Sequence, residues 1–304
     1  MNTQSNAVPD SPLGAQGIAP AAMSVTRPMY WSVRRELWEN RSIYIAPLAV
    51  AGFALVGFLI ATIGRSLSTP DLAERRTILE EPYSFATALI MGAATIVALF
   101  YCLEALHGER RDRSILFWKS LPVSDLTTVL SKASIPFVIL PGLAFVVTVA
   151  TNLIMLLLST AVLKGSGLSA AALWAQLWLF QMQLLYHLVT VHVLWYAPIY
   201  AWLLLVSGWA RRAAFLWAGL PPLAIFIIEK LAFNTSHFAA LLRYRFTGPE
   251  EFDFTEPGSS FALHPMMHLN LGKFLSTPGL WTGLLVAAIF LAAAVRLRRY
   301  QGPI

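Results

Sequence analysis

Charged residues are scarce in this chain, and their scarcity excludes an ordinary soluble domain. Asp, Glu, Lys and Arg make up 12% of the 304 residues, whereas 57% are hydrophobic and the mean hydropathy is +0.62. Soluble domains carry about twice that share of charge. The composition therefore predicts a polytopic membrane protein. The net charge of +6 then reflects basic residues placed around a bilayer, and we expect no nucleic-acid partner.

Cysteine pairs and the common catalytic motifs are also missing. The single cysteine, Cys102, lies in an apolar run and has no partner in the sequence, which excludes an intrachain disulfide. The sequence has no G-x-x-x-x-G-K-[ST] loop, no G-x-S-x-G elbow and no H-E-x-x-H helix. We expect no enzyme activity, bound cofactor or metal in this chain alone. His264 and His268 are candidate ligands for a soft metal. Pro265 breaks simple helical geometry between them and no acidic or Cys ligand lies adjacent, so we favour an interfacial helix with polar tips.

The N-terminal region contains no secretory signal, because it lacks both a basic start and an apolar core. Residues 1–28 are rich in Ala, Pro, Ser and Gly and predict a disordered tail. Residues 29–42 predict a cytoplasmic helix that lies in the membrane interface, with an apolar face formed by Tyr30, Val33 and Leu37.

Residues 43–304 predict an all-α bundle of six transmembrane helices. Apolar windows of about twenty residues mark the spans, near 43–63, 85–103, 133–160, 186–207, 213–233 and 279–295. The long run 170–209 leaves a seventh span open, although its first half favours an interfacial helix and Pro198 predicts a kink. An outer segment, 234–278, precedes the last span and contains a short apolar stretch, 261–274, which is a candidate re-entrant or interfacial helix.

The distribution of basic residues predicts that both termini are cytoplasmic. With that orientation 14 of the 22 Lys and Arg residues flank the spans on the inside, as the positive-inside rule requires. The long loop at 104–132 then faces the cytoplasm, and most of the acidic residues lie outside.

The cytoplasmic loop 104–132 is the strongest candidate for a binding surface. Its segment 112–123 is too charged for hydrocarbon and too apolar for a solvated loop, which favours docking of a partner over a position among lipid headgroups. Ser124 is a candidate N-cap for a helix that begins at Asp125. We expect Phe117 and Trp118 to anchor a partner; the other candidate docking residues are Asp112, Arg113, Ser114, Lys119, Leu121 and Pro122.

Two further patterns lie within the predicted spans. Glu229 and His192 are ionisable residues at or near membrane depth, which makes them candidates for a substrate path. Gly279, Gly283 and Ala287 recur every fourth residue, a spacing that favours close helix packing inside the bundle over dimerisation.

The order of these parts resembles the permease subunits of bacterial ABC exporters of the type-2 class. The resemblance covers residues 29–304 and rests on the helix sequence RRELWENR at 34–41, the six spans, and the loop sequence ERRDRSILFWKSLPVS at 109–124. In that family the first cytoplasmic loop forms a coupling helix that docks on a separate ATP-binding subunit. The resemblance therefore implies a multi-pass protein of the bacterial inner membrane that pairs with an identical or different permease.

The resemblance also implies that ATP and Mg²⁺ are bound by the partner subunit and that residues 112–123 contact it. Residues 261–274 would then be the element that covers the outer end of the path. A second hypothesis remains open, in which the chain is a membrane anchor or sensor that recruits a cytoplasmic protein without transport. A membrane enzyme built on the outer histidines is a third.

Overall fold

The computed structural model describes residues 26–65, 72–121, 123–162, 170–247 and 271–304. Within these residues the chain is helical and contains no β-strand. The α-helices are α1 (Thr26–Glu39), α2 (Ser42–Arg65), α3 (Leu72–Glu104), α4 (His107–Arg111), α5 (Ser114–Ser120), α6 (Asp125–Ser134), α7 (Leu140–Val162), α8 (Ala170–His187), α9 (Ala197–Trp209), α10 (Ala214–Phe233), α11 (His237–Thr247), α12 (Leu271–Ser276) and α13 (Pro278–Tyr300). Two π-helical segments join neighbouring helices, the first at Ile135–Ile139 and the second at Leu188–Trp195.

The predicted all-α fold is confirmed, with six apolar helical stretches long enough to cross a bilayer. These stretches are Ser42–Ala61, Pro82–Arg111, Asp125–Thr160, Leu177–Trp195, Ala214–Phe233 and Pro278–Tyr300. They fit a multi-pass membrane protein, because each satisfies its backbone hydrogen bonds internally over about the thickness of a hydrocarbon core.

One end of the bundle is formed by residues 104–121, 123–125, 207–213 and 296–304, which carry nine of the described basic residues. We call it the basic end. Hydrogen bonds link these parts: Lys119 Nζ donates to the carbonyl of Gln301, and the amide of Ile304 donates to the carbonyl of Arg110. The opposite end is the far end.

The apolar run 170–209 crosses the bundle once in the structure. Leu177 and Phe180 of α8 pack against Phe58 and Met155 near the far end. At the other extreme of the run, the Ser207 hydroxyl lies 2.9 Å from the amide of Leu106 at the basic end. α8 therefore packs in the bundle and continues through the second π segment into α9, instead of forming a separate interfacial helix.

A break in this crossing lies close to the predicted kink. Tyr196 leaves helical geometry, with φ −83° and ψ 1°, and Pro198 occupies the first turn of α9. Proline is tolerated there because the first amides of a helix have no intrahelical acceptor.

The stripe of small residues in α13 packs inside the bundle, as predicted. Ala287 is buried with Ala197 and Ala201 of α9. Side chains of α11 lie close over Gly279 and Gly283, where a Cβ atom would collide with Tyr244 and Arg245.

Several predictions concern residues outside the described ranges. They include the N-terminal tail through residue 25, Pro122, the two outer histidines at 264 and 268, and the apolar stretch 261–274 up to residue 270. The described part of the outer segment consists of α11, α12 and the residues that flank them.

Candidate functional site

The predicted docking segment begins at a sharp turn between two short helices, α4 and α5. α4 ends at Arg111, and Arg113 then adopts a left-handed backbone conformation with φ 58°. A non-glycine residue in this region of φ and ψ is uncommon, and the conformation costs about 1–2 kcal/mol. The turn directs α5 away from the axis of α3 and across the basic end.

α5 is amphipathic, and one apolar side faces away from the protein. Ile115 is 1% exposed, whereas Leu116 and Phe117 are 59% and 60% exposed. A pair of adjacent large apolar side chains with this exposure, outside the membrane-spanning stretches, is a feature of interaction surfaces. Phe117 is therefore placed as the docking hypothesis requires.

Trp118 occupies a different position from the one predicted for a free anchor. Its ring is half-buried and lies beneath the Arg35 guanidinium of α1, whose Cζ is 3.7 Å from the ring centroid. The Phe117 and Trp118 rings also meet edge to face, with centroids 4.9 Å apart. Trp118 thus joins the docking segment to α1, and Phe117 is the outward-facing aromatic residue.

The remaining predicted docking residues surround this aromatic pair. Asp112 and Arg113 are exposed, and Ser114 Oγ lies 3.4 Å from the carbonyl oxygen of Glu109. Lys119 Nζ donates to the carbonyl oxygens of Arg299 and Gln301, at 3.4 and 2.9 Å. Leu121 is half-buried, and Pro122 lies outside the described residues.

A buried cluster of charges, which the sequence analysis did not identify, lies behind this surface. Its centre is Glu109, whose Oε1 is 2.8 Å from Arg35 Nη2 and 3.1 Å from Lys132 Nζ. Arg298 Nη1 donates to the other carboxylate oxygen of Glu109. Glu109, Lys132 and Arg298 are 8%, 2% and 6% exposed, so these interactions are largely removed from solvent.

Glu36 of α1 also belongs to the cluster and is 1% exposed. Its Oε1 accepts from Lys132 Nζ and Arg35 Nη2, both at 2.8 Å, and its Oε2 accepts from the Tyr101 hydroxyl at 2.8 Å. Both carboxylate oxygens therefore have donors, which a buried carboxylate requires.

Further ion pairs extend this cluster at its edges. Asp125 Oδ1 lies 3.3 Å from Arg298 Nε, and the carboxylate of the exposed Glu39 lies 3.4 Å from Arg35 Nε. Burial lowers the pKa of Arg35, but nearby carboxylates, Glu36 foremost, raise it by more, so this pKa lies above its ordinary value. These ion pairs offset part of the cost of burying the charges. We call this set the charge cluster; its members are Arg35, Glu36, Tyr101, Glu109, Asp125, Lys132 and Arg298.

The charge cluster connects four parts of the chain that are distant in sequence. Its members lie on α1, on the helical run of α3 and α4, on α6 and on α13. The side chain of Ser124 accepts a hydrogen bond from the amide of Thr127, which confirms the predicted cap and fixes the start of α6. The charge cluster therefore connects α4 to α6, and α6 leads through the first π segment into α7.

A second set of hydrogen bonds holds the turn after α3 against α9. The Ser207 hydroxyl accepts from the amides of Leu106 and His107, both at 2.9 Å. Arg110 Nη1 donates to the carbonyls of Gly208 and Ala210, at 2.6 and 3.2 Å. The turn after α3 and the helix α4 are thus held on two sides, by α9 and by the charge cluster.

Glu229, a candidate for the substrate path, interacts with the backbone that follows it. Its Oε1 accepts from the amide of His237 at 2.6 Å, and its Oε2 accepts from the amide of Phe238 at 2.9 Å. The Thr235 hydroxyl donates to the same carboxylate at 2.8 Å. These bonds cap α11 at its N-terminus, which is a structural role for this carboxylate.

His192, the other candidate, lies in the second π segment and lines a small cavity at mid-bundle. The cavity has a volume of about 20 Å³ and is otherwise lined mainly by apolar residues of α3, α7 and α9. Pro136 of the first π segment also lines it. The rings of His187 and Tyr196 each lie 5.6 Å from the His192 ring. The space is sufficient for one water molecule.

Comparisons with known proteins do not identify the chain: no family model, curated protein or solved structure matches it.

Proposed function

We propose that this chain is the membrane-spanning permease subunit of an ATP-driven exporter, and that α5 docks on a separate ATP-binding subunit. The observation that carries the proposal is the exposed pair Leu116 and Phe117 on α5. α5 follows α4, and Glu109 of α4 is ion-paired to Arg35 of α1 and Lys132 of α6 in the charge cluster. An interaction surface that only recruited a partner would not need this buried connection to the transmembrane helices.

The proposal gives each part of the basic end a mechanical role. The partner contacts Leu116 and Phe117, and α5 moves with it. The stacking of Trp118 on Arg35 and the ion pairs of Glu109 pass that movement to α1, α6 and α13. Nucleotide binding then biases the bundle between two arrangements, provided the partner binds them with different affinity.

The basic residues of the basic end support its placement on the cytoplasmic side of a bacterial inner membrane. Arginine and lysine in short loops remain on the cytoplasmic side. Nine of them lie on or beside the docking segment and α13: Arg110, Arg111, Arg113, Lys119, Arg211, Arg212, Arg296, Arg298 and Arg299. The ATP-binding partner, which holds ATP and Mg²⁺, meets the chain there.

The test is co-purification of an ATP-binding subunit with this chain from cells that express both. Phe117→Ala should weaken retention of that subunit by about 30-fold, since a central aromatic anchor contributes about 2 kcal/mol or more. Lys119→Ala should change retention little, because rim charges contribute less. Trp38→Ala is the matched aromatic control, since Trp38 is 72% exposed on α1 and lies outside α5.

Two results would contradict the proposal. In the first, Phe117→Ala retains its partner as well as Trp38→Ala does. In the second, a retained partner hydrolyses ATP at the same rate with and without this chain in reconstituted vesicles, which would favour a membrane anchor without transport.

A further inference from the structure

Near the far end, α11 turns back from α10 and its C-terminal part binds the bundle. The indole Nε1 of Trp195 donates to the carbonyl of Arg245 at 2.9 Å, and the Tyr196 hydroxyl donates to the carbonyl of Phe246 at 3.2 Å. These bonds hold α11 against the junction between the second π segment and α9.

The Arg245 side chain is inserted between this junction and the start of α13. Its Nη1 donates to the carbonyl of Trp195 at 3.3 Å, and its Nη2 donates to the carbonyl of Gly279 at 2.9 Å. Its Cζ lies 4.5 Å from the centroid of the Trp195 ring. Gly283 leaves room for the guanidinium, because a Cβ atom there would collide with it.

This arrangement positions a cation without supplying a counter-charge from the described residues. None of the described carboxylates pairs with Arg245, and Glu229 is occupied at the opposite end of α11. The sequence of α11 contains Arg243 and Arg245 but no acidic residue. Burial lowers the pKa of Arg245, although an arginine side chain remains protonated. An anion would offset the cost of desolvating this charge.

The guanidinium retains donors for such an anion. Two of its five N–H groups are used by the carbonyls of Trp195 and Gly279. Nε of Arg245 is not among the described side-chain atoms that are both buried and unpartnered, so it remains accessible. The planar guanidinium matches the geometry of phosphate oxygens better than an ammonium group does.

The depth of the site and its aromatic residues fit the headgroup region of a bilayer. Gly279 is the second residue of α13, so the guanidinium lies where that apolar helix begins. The Tyr244 ring, which is 38% exposed, packs edge to face on the buried Trp195 ring, with centroids 5.2 Å apart. Tyr is enriched at this depth because one end of its side chain is apolar and the other is polar.

We propose that Arg245, flanked by Trp195 and Tyr244, is a binding site for a phosphate group at the far end of the bundle. The phosphate belongs either to the headgroup of an anionic lipid or to a soluble phosphate compound. This site is separate from α5, and its existence does not depend on the transport function.

Native mass spectrometry of the detergent-solubilised chain, with equal amounts of phosphatidylglycerol and phosphatidylcholine, tests the proposal. We expect the wild-type chain to retain phosphatidylglycerol preferentially. Arg245→Gln should reduce that preference about tenfold, the value of one charge-assisted hydrogen bond. Arg243→Gln is the matched control, because Arg243 lies on the same helix, is exposed and carries the same charge.

Inorganic phosphate distinguishes the two sources. If millimolar phosphate displaces phosphatidylglycerol where equal chloride does not, the site accepts soluble phosphates. If it does not, the lipid chains are part of the ligand. Wild-type binding without a preference for phosphatidylglycerol, and without an effect of phosphate, would overturn the proposal.

A second variant addresses the possibility that Arg245→Gln does not fold. Gly283→Ala keeps the charge but displaces the guanidinium, so it should reduce the preference if Arg245 binds phosphate in its observed position. An unchanged preference in Gly283→Ala would overturn the assignment. Equal losses in Arg245→Gln and Arg243→Gln would do so as well, since they would indicate only a general effect of charge.

Discussion

Glu109→Gln tests the role of the charge cluster most directly, because this carboxylate contacts three cations. Its oxygens bind Arg35, Lys132 and Arg298, and its side chain is almost fully buried. Glutamine has nearly the same shape but no charge. The variant would leave the two buried cations, Lys132 and Arg298, with one carboxylate each, those of Glu36 and Asp125.

The expected cost is about 3–5 kcal/mol in the free energy of unfolding, the range for removal of one partner from a buried ion pair. Glu104→Gln is the control. Glu104 pairs with Arg111 at 2.9 Å, but both side chains are at least half exposed. A pair exposed to solvent contributes about 0–1 kcal/mol. The two variants remove the same group from one helical run, so the difference between them measures the effect of burial.

Unfolding in mixed micelles with increasing SDS provides the measurement. Cys102 is fully buried and is the single cysteine, so its reaction with a maleimide reports unfolding. Arg298→Gln and the double variant complete a thermodynamic cycle, in which we expect a coupling energy of about 1–3 kcal/mol. If Glu109→Gln is no more destabilising than Glu104→Gln, the cluster does not hold the basic end together.

Three further predictions concern other parts of the chain. In a Cys102→Ser background, Ser236→Cys should react with an impermeant maleimide in intact cells and Ser120→Cys should not; the reverse pattern would invert the predicted orientation. Ser207→Ala should destabilise the chain by about 1–3 kcal/mol in the SDS titration, because it leaves two backbone amides without an acceptor. Glu229→Ala should increase hydrogen exchange in α11 by about fivefold, through loss of a cap of about 1 kcal/mol, and unchanged exchange would contradict the capping role.

The helices were predictable because their signals are local. Each span is a continuous apolar run, and Ser124 lies only three residues before Thr127, whose amide donates a hydrogen bond to its side chain. The position of Trp118 was not predictable in this way. Its partner, Arg35, is more than eighty residues away in sequence, so the apolar character of the segment alone could not show which aromatic ring faces outward.

The charge cluster left a signal that could have revealed it. Glu36 lies three residues after Val33, on the same helical face as Val33 and Leu37, and a carboxylate on an apolar face needs a buried partner. Lys132 likewise lies three residues after the buried Val129. These positions indicate buried charges, but only the fold shows that Glu36 and Lys132 bind each other.

The first π segment lies between α6 and α7, in the membrane-spanning stretch Asp125–Thr160. It lets the two helices direct their side chains independently: Lys132 of α6 contacts Glu36, and Asn152 of α7 contacts Thr87. A π turn holds extra chain relative to an α turn, and one residue corresponds to about 100° of rotation. A shift of this π turn by one residue along the chain would rotate the side chains that it passes by about 100° around the helix axis. The hydrogen bonds of Lys132 to Glu36 and of Asn152 to Thr87 lie outside the shifted turn and would be kept.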